Sequence, residues 1–97
     1  MPEMRGARRF VVSGRVQGVG FRFFAREAAQ VENLSGWVRN LPDGRVEVLA
    51  DGDRESVDRF ERRLRRGPAG ARVEHVEAMD DLPSSTTGDF IVRSSHE

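Results

Sequence analysis

The chain has 97 residues, a formal net charge of zero, and neither cysteine, lysine nor tyrosine. That length fits one domain with a modest core, and the missing side chains exclude disulfides, thiol nucleophiles, Schiff bases and lysine-bearing phosphate loops. Its 16 arginines are balanced by 16 acids, so no global field draws it to nucleic acid or anionic lipid, and anion recognition has to be local.

Residues 1–7 read as a loose arm ahead of a single domain over residues 1–97. The opening "MPEMRGARRF" carries charge but no apolar h-region, so a secretory signal is not expected and the cytoplasm is the expected compartment. No apolar run is long enough for a membrane span. Arg8 to Gly14 reads as a strand, with Phe10 and Val12 on one face and Val11 and Ser13 on the other. Three glycines follow within seven positions, at Gly14, Gly18 and Gly20. From Phe21 to Glu32, apolar residues at Phe21, Phe24, Ala25, Ala28 and Val31 give the stripe of an amphipathic helix. Asn33, which tolerates the left-handed conformation, is its expected stop.

Ser35 to Asn40 reads as a second strand, and Pro42-Asp43-Gly44 as a tight turn. Arg45 to Ala50 then closes a hairpin, with Val46, Val48 and Ala50 on one face. Asp53 is the expected N-cap of a second helix whose stripe is Val57, Phe60 and Leu64, ended by Gly67-Pro68. Ala71 to Ala78 reads as a strand, Met79 to Asp89 as a polar loop, and Phe90 to Arg93 as a short last strand. The order β-α-β-β-α-β with a short C-terminal strand predicts an α+β fold. It is a ferredoxin-like α/β sandwich: an antiparallel sheet with two helices on one face and the other face partly open. That plan hosts unrelated functions, so function has to be argued from a site.

The glycine bend fits neither familiar phosphate loop. Counting from Gly14, the second glycine of a Walker loop would fall at Val19; counting from Gly18, the third glycine of a dinucleotide loop would fall at Phe23. The ingredients of an anion site are nonetheless present. Gly18 and Gly20 permit positive φ, so backbone N–H groups can converge on one point. The helix beginning near Phe21 adds its unpaired first-turn N–H groups and the positive end of its dipole. Arg22 sits in that turn, where a cation opposes the dipole by about 0.3–1 kcal/mol. Composition leaves two readings open, an oxyanion cradle or a flexible corner with an exposed arginine.

The exact residues carry a resemblance. "GRVQGVGFR" (Gly14 to Arg22), "GWVRN" (Gly36 to Asn40) and "LPDGRVEV" (Leu41 to Val48), at this spacing, resemble the acylphosphatase family from Phe10 to the terminal "FIVR". The resemblance implies the ferredoxin-like fold and hydrolysis of carboxyl-phosphate anhydrides without metal or cofactor. It also implies a small-molecule acyl phosphate as the partner, and a monomer engaging neither nucleic acid nor membrane. By motif position it assigns phosphate binding to Arg22 and positioning of the attacking water to Asn40. The backbone N–H groups of Gln17, Gly18, Val19, Gly20 and Phe21 would meet the phosphoryl oxygens. One departure stands at the end of the first helix, where the family often has Leu-Gly-Leu and this chain has Glu32-Asn33-Leu34. Val31 is expected to take over the packing there, with the helix end slightly shifted.

The implied chemistry suits these side chains. An acyl phosphate already has a good leaving group, so the protein has only to hold the phosphoryl group, disperse charge on its oxygens and place a water in line. Positioning supplies up to about 7–11 kcal/mol in favourable cases, and one preorganised oxyanion donor roughly 2.7–4 kcal/mol. Arginine presents a fixed fork of donors to paired phosphate oxygens. Asparagine is too weak a base to take a proton, so its role would be orientation. Two readings from other classes remain, a phosphate-binding module without turnover and an RNA-binding ferredoxin-like domain using the open sheet face. The arginines of "DRFERRLRR" are better read as a solvated helix face with Glu55–Arg59, Asp58–Arg62 and Glu61–Arg65 pairs. No strand carries an RNA-recognition signature. Arg39 reads as a surface charge, Trp37 as a sheet-packing aromatic and His75 as a strand residue. With His96 far from it in sequence, a histidine-rich metal site is not expected.

Overall fold

A computed structural model describes residues 5–82 and 88–94. The elements in chain order are β1 (Arg5–Arg15), α1 (Phe21–Val31), β2 (Ser35–Asn40), β3 (Val46–Asp53), α2 (Arg54–Arg66), β4 (Arg72–Asp81) and β5 (Phe90–Val92). They form one five-stranded sheet in the order β4-β1-β3-β2-β5, with both helices packed on one face. Alternation sends Phe10, Val12, Val38, Val46, Val48 and Phe90 toward the helices. There they meet Phe21, Ala25 and Ala28 of α1 and Val57, Phe60 and Leu64 of α2. The Phe60 ring lies 6.0 Å from both Phe10 and Phe90, tying α2 to a central and an edge strand.

Pairing corrects several sequence expectations. Arg5 pairs with Asp53, and Ala7 with Asp51 and Asp81, so residues 5–7 are strand rather than loose arm; residues 1–4 lie outside the described chain. The same partnership draws β3 on to Asp53 and β4 on to Asp81, taking Met79 to Asp81 out of the expected loop. Residues 83–87 of that loop, and His96, lie outside the described residues.

The sheet is mixed rather than antiparallel, because β5 runs parallel to β2. The path of the chain requires this direction. β4 ends beside the beginning of β1, at the Asp81–Ala7 pair, so the next strand starts at that edge and runs the way β1 runs. β1 and β2 are both antiparallel to β3, so that direction is also the direction of β2.

At the end of α1, Asn33 takes φ 57° and stops the helix as expected. The packing there differs from the expectation. The left-handed turn brings the Leu34 N–H to Ala29 O at 2.9 Å and buries Leu34 in the core, leaving Val31 65% exposed. Along α2 only Glu61–Arg65 of the expected i,i+4 pairs forms among the described residues. Asp58 and Glu61 lean onto β1 to meet Arg8, and Arg59 crosses to Glu32, the residue just past α1. Arg8 sits on the helix-covered side of the sheet, where a half-buried guanidinium needs counter-charge more than a solvated lysine-like surface would.

Candidate active site

Topology gathers the site before any side chain is placed. β1, β2 and β5 run in one direction, so their C-terminal ends share one edge of the sheet. Val46, the first residue of β3, pairs with Val12 on one side and Asn40 on the other. The loop leaving β1, the start of α1, the end of β2 and the end of β5 therefore meet around that point.

The loop leaves β1 through a register shift between Ser13 and Gly14, where a Cβ on Gly14 would lie 2.1 Å from the Arg72 carbonyl oxygen. Gly18 and Gly20 are glycines for a different reason. A Cβ on either would meet nothing within 4 Å, but their φ angles are +75° and +76°. What these positions require is the left-handed backbone, not the space. Gly20 is the residue before α1, no side chain caps the helix, and its first turn holds no acid. Among the described residues, none of the loop and turn backbone bonds is donated by residues 17–23. First-turn N–H groups of this kind, with the helix dipole behind them, are suited to donate to an anion.

Val16, Gly18, Gly20, Phe21, Arg22, Phe23 and Asn40 line one cavity of about 100 Å³ at this place. Val16 and Phe21 are buried and form its floor. Arg22 is half-buried, and its Nη1 donates to the Arg93 carbonyl oxygen just past β5 at 2.8 Å. It forms no salt bridge among the described residues. Six of the sixteen arginines, Arg8, Arg9, Arg39, Arg45, Arg59 and Arg65, meet carboxylates among the described residues, and of the others it is Arg22 that lines this cavity. A carbonyl orients the guanidinium without cancelling its charge, which suits a dianion.

Asn40 borders the same cavity from the end of β2. The hairpin that carries it is fastened to the glycine loop by Gln17. Its side-chain Nε2 donates to the Leu41 carbonyl at 2.8 Å and to the Arg45 carbonyl at 2.9 Å. The Leu41 N–H also reaches the Arg45 carbonyl, at 2.8 Å, so both ends of the turn are closed on one amide. Asp43 stiffens the tip. Its carboxylate accepts from the Arg45 backbone N–H and also meets the Arg45 guanidinium, which together hold its pKa below the ordinary carboxylate value.

The middle of the sheet face away from the helices holds an ion cluster. Glu47, nearly buried, accepts from Arg9 and from Arg39, each at 2.7 Å. Burial pushes its pKa up, and the two arginine bonds overcome that and bring it below the usual value. Arg39 and Arg93 also lie 5.3 Å and 5.1 Å from the Trp37 ring. Arg39 is thus a paired residue of the sheet rather than a free surface charge.

Of the residues singled out in the sequence, Gly18, Gly20, Phe21, Arg22 and Asn40 come together at the cavity. Gln17 and Val19 do not line it: the Gln17 side chain ties loop to hairpin, and Val19 packs against the core. Sequence reasoning missed Phe23 on the cavity wall and the Arg93 carbonyl behind Arg22. Adjacency to Arg22 in the first helical turn was a usable signal for Phe23; a backbone carbonyl on another strand leaves none. Among the described residues no cluster of His, Asp or Glu is arranged to hold a metal ion.

Comparison with known proteins gives a concordant result. A family model described as Acylphosphatase matches residues 8–92. The chain is 45% identical over 95 residues to an acylphosphatase of Koribacter versatilis, covering 98% of this chain and 86% of that protein. It is 55% identical over 82 residues to an acylphosphatase of Pseudomonas paraeruginosa, covering 84% of this chain and 89% of that protein. Among solved structures, an acylphosphatase from Coxiella burnetii matches with a TM-score of 0.87 at 38% identity, over 92% of this chain and 93% of that one.

Proposed function

The chain belongs to the acylphosphatase family, and we propose that it hydrolyses small acyl phosphates by direct attack of a water placed by Asn40 on a phosphoryl group held by Arg22 and the backbone at Gly18, Gly20 and Phe21. The observation that carries this mechanism is the shared cavity. Arg22, the two left-handed glycines and Asn40 come from different elements and border one space. In the reaction the water oxygen bonds to phosphorus as the bond from phosphorus to the bridging oxygen breaks. The electron pair leaves with the carboxylate, and the water proton passes to a phosphoryl oxygen. The loop N–H groups and the Arg22 fork take the charge that spreads over the equatorial oxygens. The Asn40 amide orients the water and accepts no proton.

No step in this scheme calls for a metal or cofactor. Phosphate release from acetyl and benzoyl phosphate should therefore persist in excess chelator. Binding of inorganic phosphate with no turnover of either substrate would leave a phosphate-binding module and end the enzymatic reading.

The reading includes no nucleic-acid partner, and the carboxylates that meet Arg8, Arg9 and Arg39 support that. Among the described residues no helix is long and apolar enough to cross a membrane. We take the protein to work as a cytoplasmic monomer; a sedimentation coefficient that rises with concentration would count against the monomer.

A further inference from the structure

The cavity of about 100 Å³ is small beside the roughly 300–1,000 Å³ of pockets that enclose whole ligands. A phosphoryl group and a water fit its donors, so the acyl part of the substrate has to leave over the rim. The rim is uneven in chemistry. Gly18 and Gly20 present backbone, Arg22 and Asn40 present polar groups, and Phe23 presents an aromatic ring.

Phe23 is 55% exposed, although it sits in a helix whose inner face is otherwise well buried. Single exposed apolar side chains are common and need no explanation by themselves. Among the described residues the other exposed large apolar side chains are Val31, Leu82 and Ile91, and none of them lines this cavity. The Phe23 ring is also held: the Arg26 guanidinium, one turn on, lies 5.3 Å from its centroid. Such a contact restrains the ring and leaves the uncovered surface as a prepared apolar wall beside the phosphoryl cradle.

We infer that Phe23 is the acyl-group platform of this enzyme, and that it favours acyl phosphates with aromatic or extended apolar acyl groups over acetyl phosphate. The inference rests on the acylphosphatase reading above. With the phosphoryl group held by Arg22 and the loop, an acyl end that leaves over the first turn of α1 meets Phe23, the neighbour of Arg22 on the cavity lining. An aromatic acyl group then covers part of the Phe23 ring and loses water from both surfaces, whereas an acetyl methyl covers little of it. The platform acts on the part of the substrate that does not react.

The test is the ratio of kcat/KM for benzoyl phosphate to that for acetyl phosphate, in the full chain and in Phe23→Ser and Phe23→Leu. The ratio should fall about tenfold in Phe23→Ser, the effect expected from losing a few tens of Å² of apolar contact, and by a smaller factor in Phe23→Leu. An unchanged ratio in Phe23→Ser, with turnover retained, would overturn the platform and leave the hydrolase reading standing. An equal loss on both substrates would make Phe23 a support of the cradle and would likewise overturn it. If the unmodified chain hydrolyses neither substrate, the proposed function fails first and the platform fails with it.

Discussion

The two helices of the sandwich begin in opposite ways. α2 starts from Asp53 in an extended conformation, has Glu55 in its first turn and carries Arg63, Arg65 and Arg66 in its last. Arg54 shares that first turn, so the favourable part of the arrangement is Glu55 near the positive end of the dipole and three arginines at the negative end. α1 starts from a left-handed glycine, has no acid in its first turn and no base in its last, and places Arg22 against its own dipole. Both helices pack on the same face of the same sheet, so the fold does not require the difference. Neither helix has a side-chain cap, but only at α1 do the uncapped end and the Arg22 guanidinium border the cavity lined by Asn40. The left-handed glycine and the arginine at this end are the unfavourable local choices that the proposed site would use.

The largest effect expected from breaking that contrast is at Arg22. Arg22→Ala should lower kcat/KM by about a thousandfold or more, since it removes both charge and fork from the phosphoryl oxygens. Inhibition by inorganic phosphate should vanish with it. Stability should move by less than about 1 kcal/mol, because relief of the dipole clash offsets loss of the bond to the Arg93 carbonyl. A variant that unfolds at ordinary temperature would show that Arg22 serves the fold.

Next in size is Asn40→Ala, which should lower kcat by on the order of a hundredfold or more through loss of water orientation. Phosphate competition should be retained. Equal loss of turnover and phosphate binding would make Asn40 a phosphate ligand rather than a water holder.

Gln17→Ala comes third. It leaves the cradle residues in place but unfastens the hairpin from the loop at both the Leu41 and Arg45 carbonyls. A drop in kcat of about tenfold is expected, since a misplacement of about 1 Å can cost up to 100-fold, together with a loss of about 1–2 kcal/mol in stability. Gln17→Glu should not restore activity, because a carboxylate cannot donate to two carbonyls. Rescue by Gln17→Glu would refute the hydrogen-bonded role.

The contrast between the helices was legible in the sequence, because it lies in residue types at fixed offsets. Gly18, Gly20 and Arg22 announce it before any coordinate is known, and Asp53 and the acid-to-base gradient of α2 do the same. The motifs at Gly14 to Arg22 and Gly36 to Asn40 placed both ends of the cavity. What could not be read is what depends on partners distant in sequence. The parallel seating of β5 follows from where β4 ends, and the extra length of β1, β3 and β4 from their mutual pairing. Leu34 rather than Val31 fills the core because one left-handed residue between them turns the chain, an effect that periodicity carries past unseen. Gln17 was expected to contribute its backbone N–H, and its side chain proved to hold carbonyls on another element. Asp58 and Glu61 were read along their own helix, while the charge that attracts them, Arg8, lies on a strand.

The smallest expected effects lie at the two caps, and they sharpen the comparison because they run against intuition about side chains. Asp53 occupies the N-cap of α2, but its carboxylate makes no capping bond to the helix. Asp53→Ala should therefore cost less than about 0.5 kcal/mol, below the roughly 0.5–2 kcal/mol of a hydrogen-bonded cap. Gly20 has no side chain at all and open space around it, yet Gly20→Ala should cost about 1–2 kcal/mol, because alanine resists a φ of +76°. Chemical denaturation of the two variants, side by side, ranks them. If Asp53→Ala proves the more destabilising, α2 depends on its cap in a way the missing hydrogen bond does not explain. If Gly20→Ala is the worse, and loses activity while Asp53→Ala keeps it, then the helix with the poorer beginning is the one whose beginning is used.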